Sequence, residues 1–388
     1  LLALAEEPNL IEAIQGDIAT VGLVGEQNNA LLVYLGYTSR VLDDPVAIIA
    51  RGESSAGKST LQRKVAVLFP PEVKIEAMDM KAAAWFNTTE DHFKHKVFIA
   101  GERRHSKDDA AKDAGNILRQ LLSEKRINRG VSVQDPETRA WETKWVVREG
   151  PIAYAESTTS GSIFEEDLNR MVQIYLDESQ HQTRRVMNAI ADNYNPDQPA
   201  ANDPKAIIDR HHEFQLHLQR LPVCRVGVPY FNCLAARMPA RKPKARRAIQ
   251  QIFSIIEVLV VLQQDRREEK NGRLLATLED YAVARRLLIG PLHAALGIGK
   301  DYGNAMKLKA AIKKPVFSTP EVRKALGFNN DMTTSNLLNG LMNAGLLSRL
   351  TEGRKGSPAT WTWQKDGKGK LETMLLPTVE EVGQFLNS

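Results

Sequence analysis

Cysteine is nearly absent: Cys224 and Cys233 are the two in 388 residues. Two thiols build no disulfide framework, and their spacing matches no zinc pattern, which fits a reducing compartment. No run reaches the roughly 18 apolar residues of a membrane-spanning helix. The longest apolar stretch, residues 255–262, is short and is broken by Glu257. The first residues, Leu1-Leu2-Ala3-Leu4-Ala5, lack the basic flank of a secretory signal. A cytoplasmic protein with no membrane partner is expected. An initiator Met is also missing, and this leads to the expectation of a fragment of a longer polypeptide.

What remains is an ordinary globular composition, 43% hydrophobic and 26% charged, long enough for two or three domains. The net charge of +5 is a mild pointer to a polyanionic partner and decides nothing alone.

The chain is organised around residues 46–60. Val46-Ala47-Ile48-Ile49-Ala50 reads as a buried strand and Gly52-Glu53-Ser54-Ser55-Ala56-Gly57 as a glycine-bounded loop. Lys58-Ser59-Thr60 then opens a helix reaching about Phe69. The spacing fits G-x-x-x-x-G-K-[ST], the phosphate-binding P-loop, with the strand before it and the helix after it that the motif needs. The glycines let the backbone curl until successive N–H groups face phosphate oxygens, and the helix N-terminus adds its partial positive charge. Lys58 would neutralise the β- and γ-phosphates of ATP, and the Ser59 hydroxyl would ligate Mg²⁺. Nucleotide binding is the expectation.

Residues 1–42 read as a helical lead, with Pro8 opening one helix and Asn28 capping another. Residues 43–190 alternate strand and helix, the pattern of a mostly parallel α/β sheet. Within them His95-Lys96-Val97-Phe98-Ile99-Ala100-Gly101-Glu102 reads as a buried strand ending in a carboxylate. Glu102 is either an ordinary strand-end acid or the group that polarises the attacking water beside the magnesium. Gly101 stands where many P-loop ATPases carry a second acid. Residues 126–134 and 141–147 predict a β-hairpin around Asp135-Pro136, bearing Arg126, Arg129, Arg139, Lys144 and Arg148. These cations are either ordinary surface charge or contacts to a single-stranded nucleic acid backbone.

A core strand over residues 151–156 then ends in Ser157, Thr158 and Thr159, whose hydroxyls either sense the γ-phosphate or cap a turn. Arg170 follows the acidic cluster Glu165-Glu166-Asp167. It is either a partner in an internal salt bridge or an arginine finger for a neighbouring subunit's ATP. A Pro/Asn/Asp-rich linker leads into a helical domain over residues 191–300, in which His211, His212 and His217 complete no metal set. Residues 301–388 predict helix, turn, helix and a two-stranded wing carrying Arg354 and Lys355, a winged-helix layout. Thr333, Thr334, Ser335 and Asn336 are exposed candidates for reading DNA.

Together the Ser54-Ser55-Ala56-Gly57-Lys58-Ser59 loop, His95-Lys96 leading to Glu102, Leu121-Leu122-Ser123-Glu124, and Gly150-Pro151 ahead of Ser157-Thr158-Thr159 resemble the helicase module of phage and mobile-element primase-helicases. Gln182-Thr183-Arg184, Gln264-Asp265-Arg266-Arg267 and Glu279-Asp280-Tyr281 are similar to it as well. The resemblance covers roughly residues 1–290, and only the P-loop is specific by itself. It implies an α/β fold with an AAA+ ATPase core, helical flanks and a compatible C-terminal winged helix. It also implies a ring, often a hexamer, with ATP between subunits and an upstream or separate primase. By that resemblance Lys58 and Ser59 bind nucleotide and Mg²⁺, Glu102 is the catalytic base and a metal-side ligand, and Thr158 or Thr159 is the sensor. Arg170 is the trans finger, and Arg184 or Arg185 is a second sensor. Expected functions are an ATP-driven DNA helicase or translocase, or else an ATP-switched DNA-binding initiator that separates no strands. A small-molecule kinase is a distant third.

Overall fold

The computed structural model describes residues 3–78, 80–102, 109–159, 163, 165–195, 203–221, 225–240, 243–296, 308, 311–328, 330–343, 347–353, 357–363 and 376–388. The chain forms two compact units, Leu1–Pro229 with Ile249–Leu288, and Tyr230–Ala248 with Ile289–Ser388.

In the first unit, α1 (Leu10–Thr20) and α2 (Gln27–Thr38) lead into β1 (Ala47–Arg51), the loop 52–57 and α3 (Lys58–Ala66). Then come β2 (Lys74–Ala77), α4 (Ala82–Phe86), β3 (Lys96–Glu102) and α5 (Asp109–Glu124). The hairpin strands β4 (Arg126–Gln134) and β5 (Trp141–Glu149) precede β6 (Ile152–Thr158), α6 (Glu165–Leu168), β7 (Met171–Tyr175) and α7 (Gln180–Asp192). Strands β2, β3, β6, β1 and β7 make one five-stranded parallel sheet in that order. The α/β reading of residues 43–190 is borne out at this level.

The sheet forms because its central strands are apolar on both faces, as a doubly covered parallel sheet requires. Ala47 and Ile49 join Phe98, Ala100, Ile152, Tyr154 and Met171 in a core with Trp85 of α4 and Leu118 and Leu121 of α5. Within it Phe98 stacks between Trp85 and Tyr154, at 5.3 and 5.8 Å between ring centroids. Ile48 is buried on the opposite face, against α2. A Cβ on Gly36 would come within 2.3 Å of its Cδ1, so only glycine lets α2 lie this close. Residues Ala30 to Thr38 are buried all round, as expected of a helix apolar on every side. Each fully buried Ile or Leu here contributes about 1.5–3 kcal/mol.

The α2 start differs from expectation. Glu26, in a left-handed conformation (φ 59°), precedes the helix in place of Asn28, and its carboxylate accepts from Asn29 Nδ2 at 2.6 Å. α8 (Lys205–Arg220) packs on the α1–α2 side through a buried polar chain: Asp17, His211, Tyr34 and Gln215 are all buried. The unit continues with β8 (Val226–Gly227). The chain then passes through α9 (Phe231–Arg237), and α10 (Ala245–Val261) returns it to this unit. β9 (Glu269–Lys270) and β10 (Arg273–Leu275) complete a small sheet in the order β8, β10, β9, and α11 (Leu278–Ala295) follows.

The second unit holds β11 (Val316–Ser318), α12 (Thr319–Leu326), α13 (Asp331–Asn343), β12 (Leu347–Thr351), β13 (Thr360–Trp363) and α14 (Val379–Leu386). Its antiparallel sheet runs β11, β13, β12 over a core of Phe317, Val322, Leu338, Leu341, Leu347 and Trp361. Ser318 and Glu321 form the capping box that starts α12, and Gly327 (φ 66°) ends it. In α14 the box recurs with Thr378 and Glu381, and Arg237 of α9 holds Glu381 at 2.9 Å.

Among the described residues no helix is long and apolar enough to cross a membrane.

Candidate functional site

Strand register brings the chemistry to the carboxyl edge of the parallel sheet, where open α/β sheets bind ligands. Arg51 of β1 lies level with Thr158 of β6 on one side and Tyr175 of β7 on the other. One strand farther, Glu102 of β3 pairs with Ser157. A cleft of about 310 Å³ opens here, lined by Arg51, Gly52, Glu53, Thr158, Thr159, Tyr175, Leu176 and Glu178.

The loop 52–57 climbs out of β1 and turns into α3 through two left-handed residues, Ser55 (φ 68°) and Gly57 (φ 93°). Glycine reaches that conformation without strain, and Gly57 sits directly ahead of Lys58, the first residue of α3. Lys58 is buried, and its Nζ donates to the carbonyls of Gly52 at 3.0 Å and Glu53 at 2.6 Å. Glu53, Ser54, Ser55, Ser59 and Thr60 are exposed, while Ala56 is half-buried. The two hydroxyls of the first helical turn are therefore open to a ligand.

Thr159 Oγ1 donates to Glu102 Oε1 at 2.5 Å. Two residues 57 apart in the chain thus meet, and the carboxylate is held at the edge of the cleft by a hydroxyl that lines it. Thr158 is buried. On the far side Arg51 donates to Gln173 Oε1 at 3.0 Å and lies over the Tyr175 ring, 5.6 Å from its centroid.

The donor set suits a phosphate chain: curled backbone, a helix N-terminus and a buried ammonium. Magnesium is commonly held by one or two protein groups plus substrate phosphates, and Ser59 with Glu102 are the residues here that could serve it. Among the described residues no cluster of three or more His, Cys, Asp or Glu forms a metal site without such a ligand.

Other expected residues lie elsewhere. Arg170 donates to Ser123 Oγ at 2.9 Å and to the Glu166 carbonyl at 2.7 Å. Arg119 also engages the acidic cluster, meeting Asp167 at 2.5 Å. Arg184 and Arg185 are exposed on α7 and outside the set lining the cleft. Arg126, Arg129, Arg139 and Lys144 are exposed on the hairpin, where Arg129 lies 5.5 Å from the Phe86 centroid. Arg148 is half-buried and anchors the hairpin, donating to Thr88 Oγ1 at 3.2 Å and to the Phe86 carbonyl. Thr334 is buried rather than exposed: its hydroxyl turns back to the Asn330 carbonyl at 3.1 Å, a short reach for a helical threonine. Arg354 and Lys355 lie outside the described residues.

Three features escape a reading of the sequence. Arg51 and Glu178 enter the cleft through long-range geometry that no local pattern announces. Trp141 and Trp145 are 70% and 71% exposed on one face of β5, and the Trp145 ring lies across Gly130 of β4. For them a signal exists: two indoles at strand period, with only Thr143 between them on that face.

No protein-family model matches the chain, and no curated protein is significantly similar to it.

Proposed function

We propose that this chain is an ATP-dependent DNA helicase or translocase module of the AAA+ kind, acting in replication of a phage or mobile genetic element. The observation that carries the proposal is the meeting of Lys58, the loop 52–57, Thr158, Thr159 and Glu102 at the carboxyl edge of one parallel sheet. In this reading the loop is a P-loop. Lys58 leaves the Gly52 and Glu53 carbonyls to meet the β- and γ-phosphates, and loop amides with Ser59 take the remaining oxygens and Mg²⁺. Magnesium, which Ser59 would help to hold, would supply charge neutralisation to the phosphates. Glu102 accepts the proton of the attacking water, and Thr159 orients Glu102. Arg170 completes the site of a neighbouring subunit in a ring, by resemblance a hexamer, served by an upstream or separate primase. The second unit is read as a winged helix that contacts duplex DNA, with Arg354 and Lys355 in its wing.

The exposed β4–β5 hairpin favours a translocase over a switch. It presents Arg126, Arg129, Arg139 and Lys144 together with two bare indoles. Aromatics on which bases stack, beside cations that follow the backbone, are the elements of sequence-independent single-strand binding. Trp141→Ala and Trp145→Ala are each expected to weaken binding of oligo(dT) about tenfold, since stacking is worth about 1–3 kcal/mol per base. Fluorescence anisotropy measures this, and full affinity in the double variant removes the hairpin from the DNA path. For the function as a whole, the test is unwinding of a forked duplex with ATP, alongside ATPase with and without single-stranded DNA. Wild type should unwind the fork and its hydrolysis should rise with DNA. DNA binding with hydrolysis indifferent to DNA would assign the ATP-switched initiator instead.

A further inference from the structure

One peptide group in the loop 52–57 is clamped between opposite charges. Its carbonyl, from Gly52, accepts from Lys58 Nζ at 3.0 Å, and its N–H, from Glu53, donates to Glu178 Oε1 at 2.7 Å. The same carboxylate oxygen would lie 2.8 Å from a Cβ on Gly52, so it rests directly against the glycine backbone. Glycine at 52 thus admits Glu178.

Glu178 is aimed rather than loosely placed. It sits three residues beyond β7 and one before Ser179, whose hydroxyl caps α7 by accepting from the Gln182 amide at 3.2 Å. The Asp177 amide donates to Glu26 Oε1 at 2.6 Å, and Asp177 Oδ1 accepts from the Ser179 amide at 2.9 Å. The Tyr175 carbonyl accepts from Asn29 Nδ2 at 2.8 Å, and Gln182 Nε2 donates to the Val24 carbonyl at 2.7 Å. This short segment is therefore pinned before and after Glu178, leaving its carboxylate on the loop amide.

A carboxylate accepting a backbone N–H in an anion-binding loop does what a phosphate oxygen would do there. Resting on the nucleotide reading above, we propose that Glu178 is a built-in competitor of the terminal phosphate. It holds the loop in a self-satisfied state, and a triphosphate must displace it from the Glu53 amide while drawing Lys58 off the Gly52 carbonyl. The competition is electrostatic as well as steric, because a second anion beside the incoming phosphates raises the cost of binding them.

The test is calorimetric titration of the full chain with ATP and ADP in the presence of Mg²⁺, for wild type, Glu178→Ala and Glu178→Gln. Glu178 is exposed, so both variants should keep the wild-type circular dichroism spectrum. Removing the carboxylate is expected to tighten ATP binding about tenfold, the scale of one charge-assisted hydrogen bond. Glutamine, which keeps an acceptor without the charge, should fall between. The gain should be smaller for ADP, which lacks the terminal phosphate, and should shrink as salt is raised. If wild type binds ATP and Glu178→Ala binds it equally or more weakly, the competitor role is overturned and the nucleotide reading stands. If wild type and both variants fail to bind ATP, that reading falls, and the competitor role with it.

Discussion

Glu102→Gln is expected to slow ATP hydrolysis about 10²–10⁴-fold while leaving ATP affinity within a few-fold of wild type. Glutamine keeps the length of the side chain and an oxygen that accepts from Thr159 Oγ1, so the local geometry survives. What it loses is the capacity to take a proton. Lys58→Ala separates the roles from the other side. It removes the only ammonium bonded to the Gly52 and Glu53 carbonyls among the described contacts, the charge proposed to move onto the phosphates. ATP binding itself should therefore be lost in that variant, and hydrolysis with it. Thr159→Ala should act through Glu102 as a positioning change, lowering kcat about tenfold with KM little altered, and Thr159→Ser should restore most of the rate. Single-turnover hydrolysis and equilibrium binding, measured in parallel, distinguish these outcomes. Hydrolysis by Glu102→Gln within threefold of wild type would dismiss Glu102 as the base.

The part of the site that lies in consecutive residues is legible in the amino-acid sequence alone. Strand, glycine-bounded loop, lysine and helix are neighbours in the chain, and their spacing carries their chemistry. The β4–β5 hairpin and the buried β3 are legible for the same reason: each is a local pattern with a local cause. What stays hidden depends on contacts between distant segments. Glu178 meets Glu53 across 125 residues. β2 has no fully buried residue, so its apolar signal is faint, and the two- and three-residue strands β8, β9 and β10 are too short to show a period. Thr334 resembles an exposed reader because threonine is polar, yet its hydroxyl is satisfied by the Asn330 carbonyl just ahead of its helix and its methyl can be buried. His211, beside His212 and His217, reads only as completing no metal set. Histidine spacing alone shows no trace of the chain of hydrogen bonds that buries it.

That chain predicts a large stability effect. Arg40 Nη2 donates to Gln215 Oε1 at 3.2 Å, Gln215 Nε2 donates to the Tyr34 hydroxyl at 3.2 Å, and Tyr34 Oη lies 2.9 Å from His211 Nδ1. With its hydroxyl accepting from Gln215, Tyr34 donates to Nδ1. The proton of neutral His211 is then on Nε2, which meets Asp17 Oδ2 at 2.8 Å. Arg210 adds two bonds to the same carboxylate, at 2.6 and 2.5 Å. Burial pulls the pKa of Arg40 down to about 10 and holds His211 below the ordinary 6.5. Burial alone would raise the Asp17 carboxyl, but the bonds from His211 and Arg210 outweigh it and leave the group below its ordinary 3.8. Asp17→Ala removes the acceptor at the end of the chain and leaves the buried His211 Nε2–H unmet, while part-exposed Arg210 keeps Glu7 at 3.5 Å, at an expected cost of about 1–3 kcal/mol. The pH dependence has a definite sign. Both groups bind protons less readily folded than unfolded, so stability is full above pH 6.5, falls as His211 is driven to protonate, and falls again below 3.8 as Asp17 does. Glu257 works in the opposite sense. Burial, with Asp44 and Asp43, pushes its pKa up to about 6 from 4.5, so its contribution grows as the pH falls through that interval. In a Glu257→Gln background, urea midpoints at pH 7.5 and 5.5 should therefore separate clearly. Adding His211→Gln should lower the midpoint at pH 7.5 and narrow the gap between the two values, the remainder falling to His92, whose pKa burial and Lys96 also lower. A separation unchanged by His211→Gln would show that the acid sensitivity arises outside this chain of bonds.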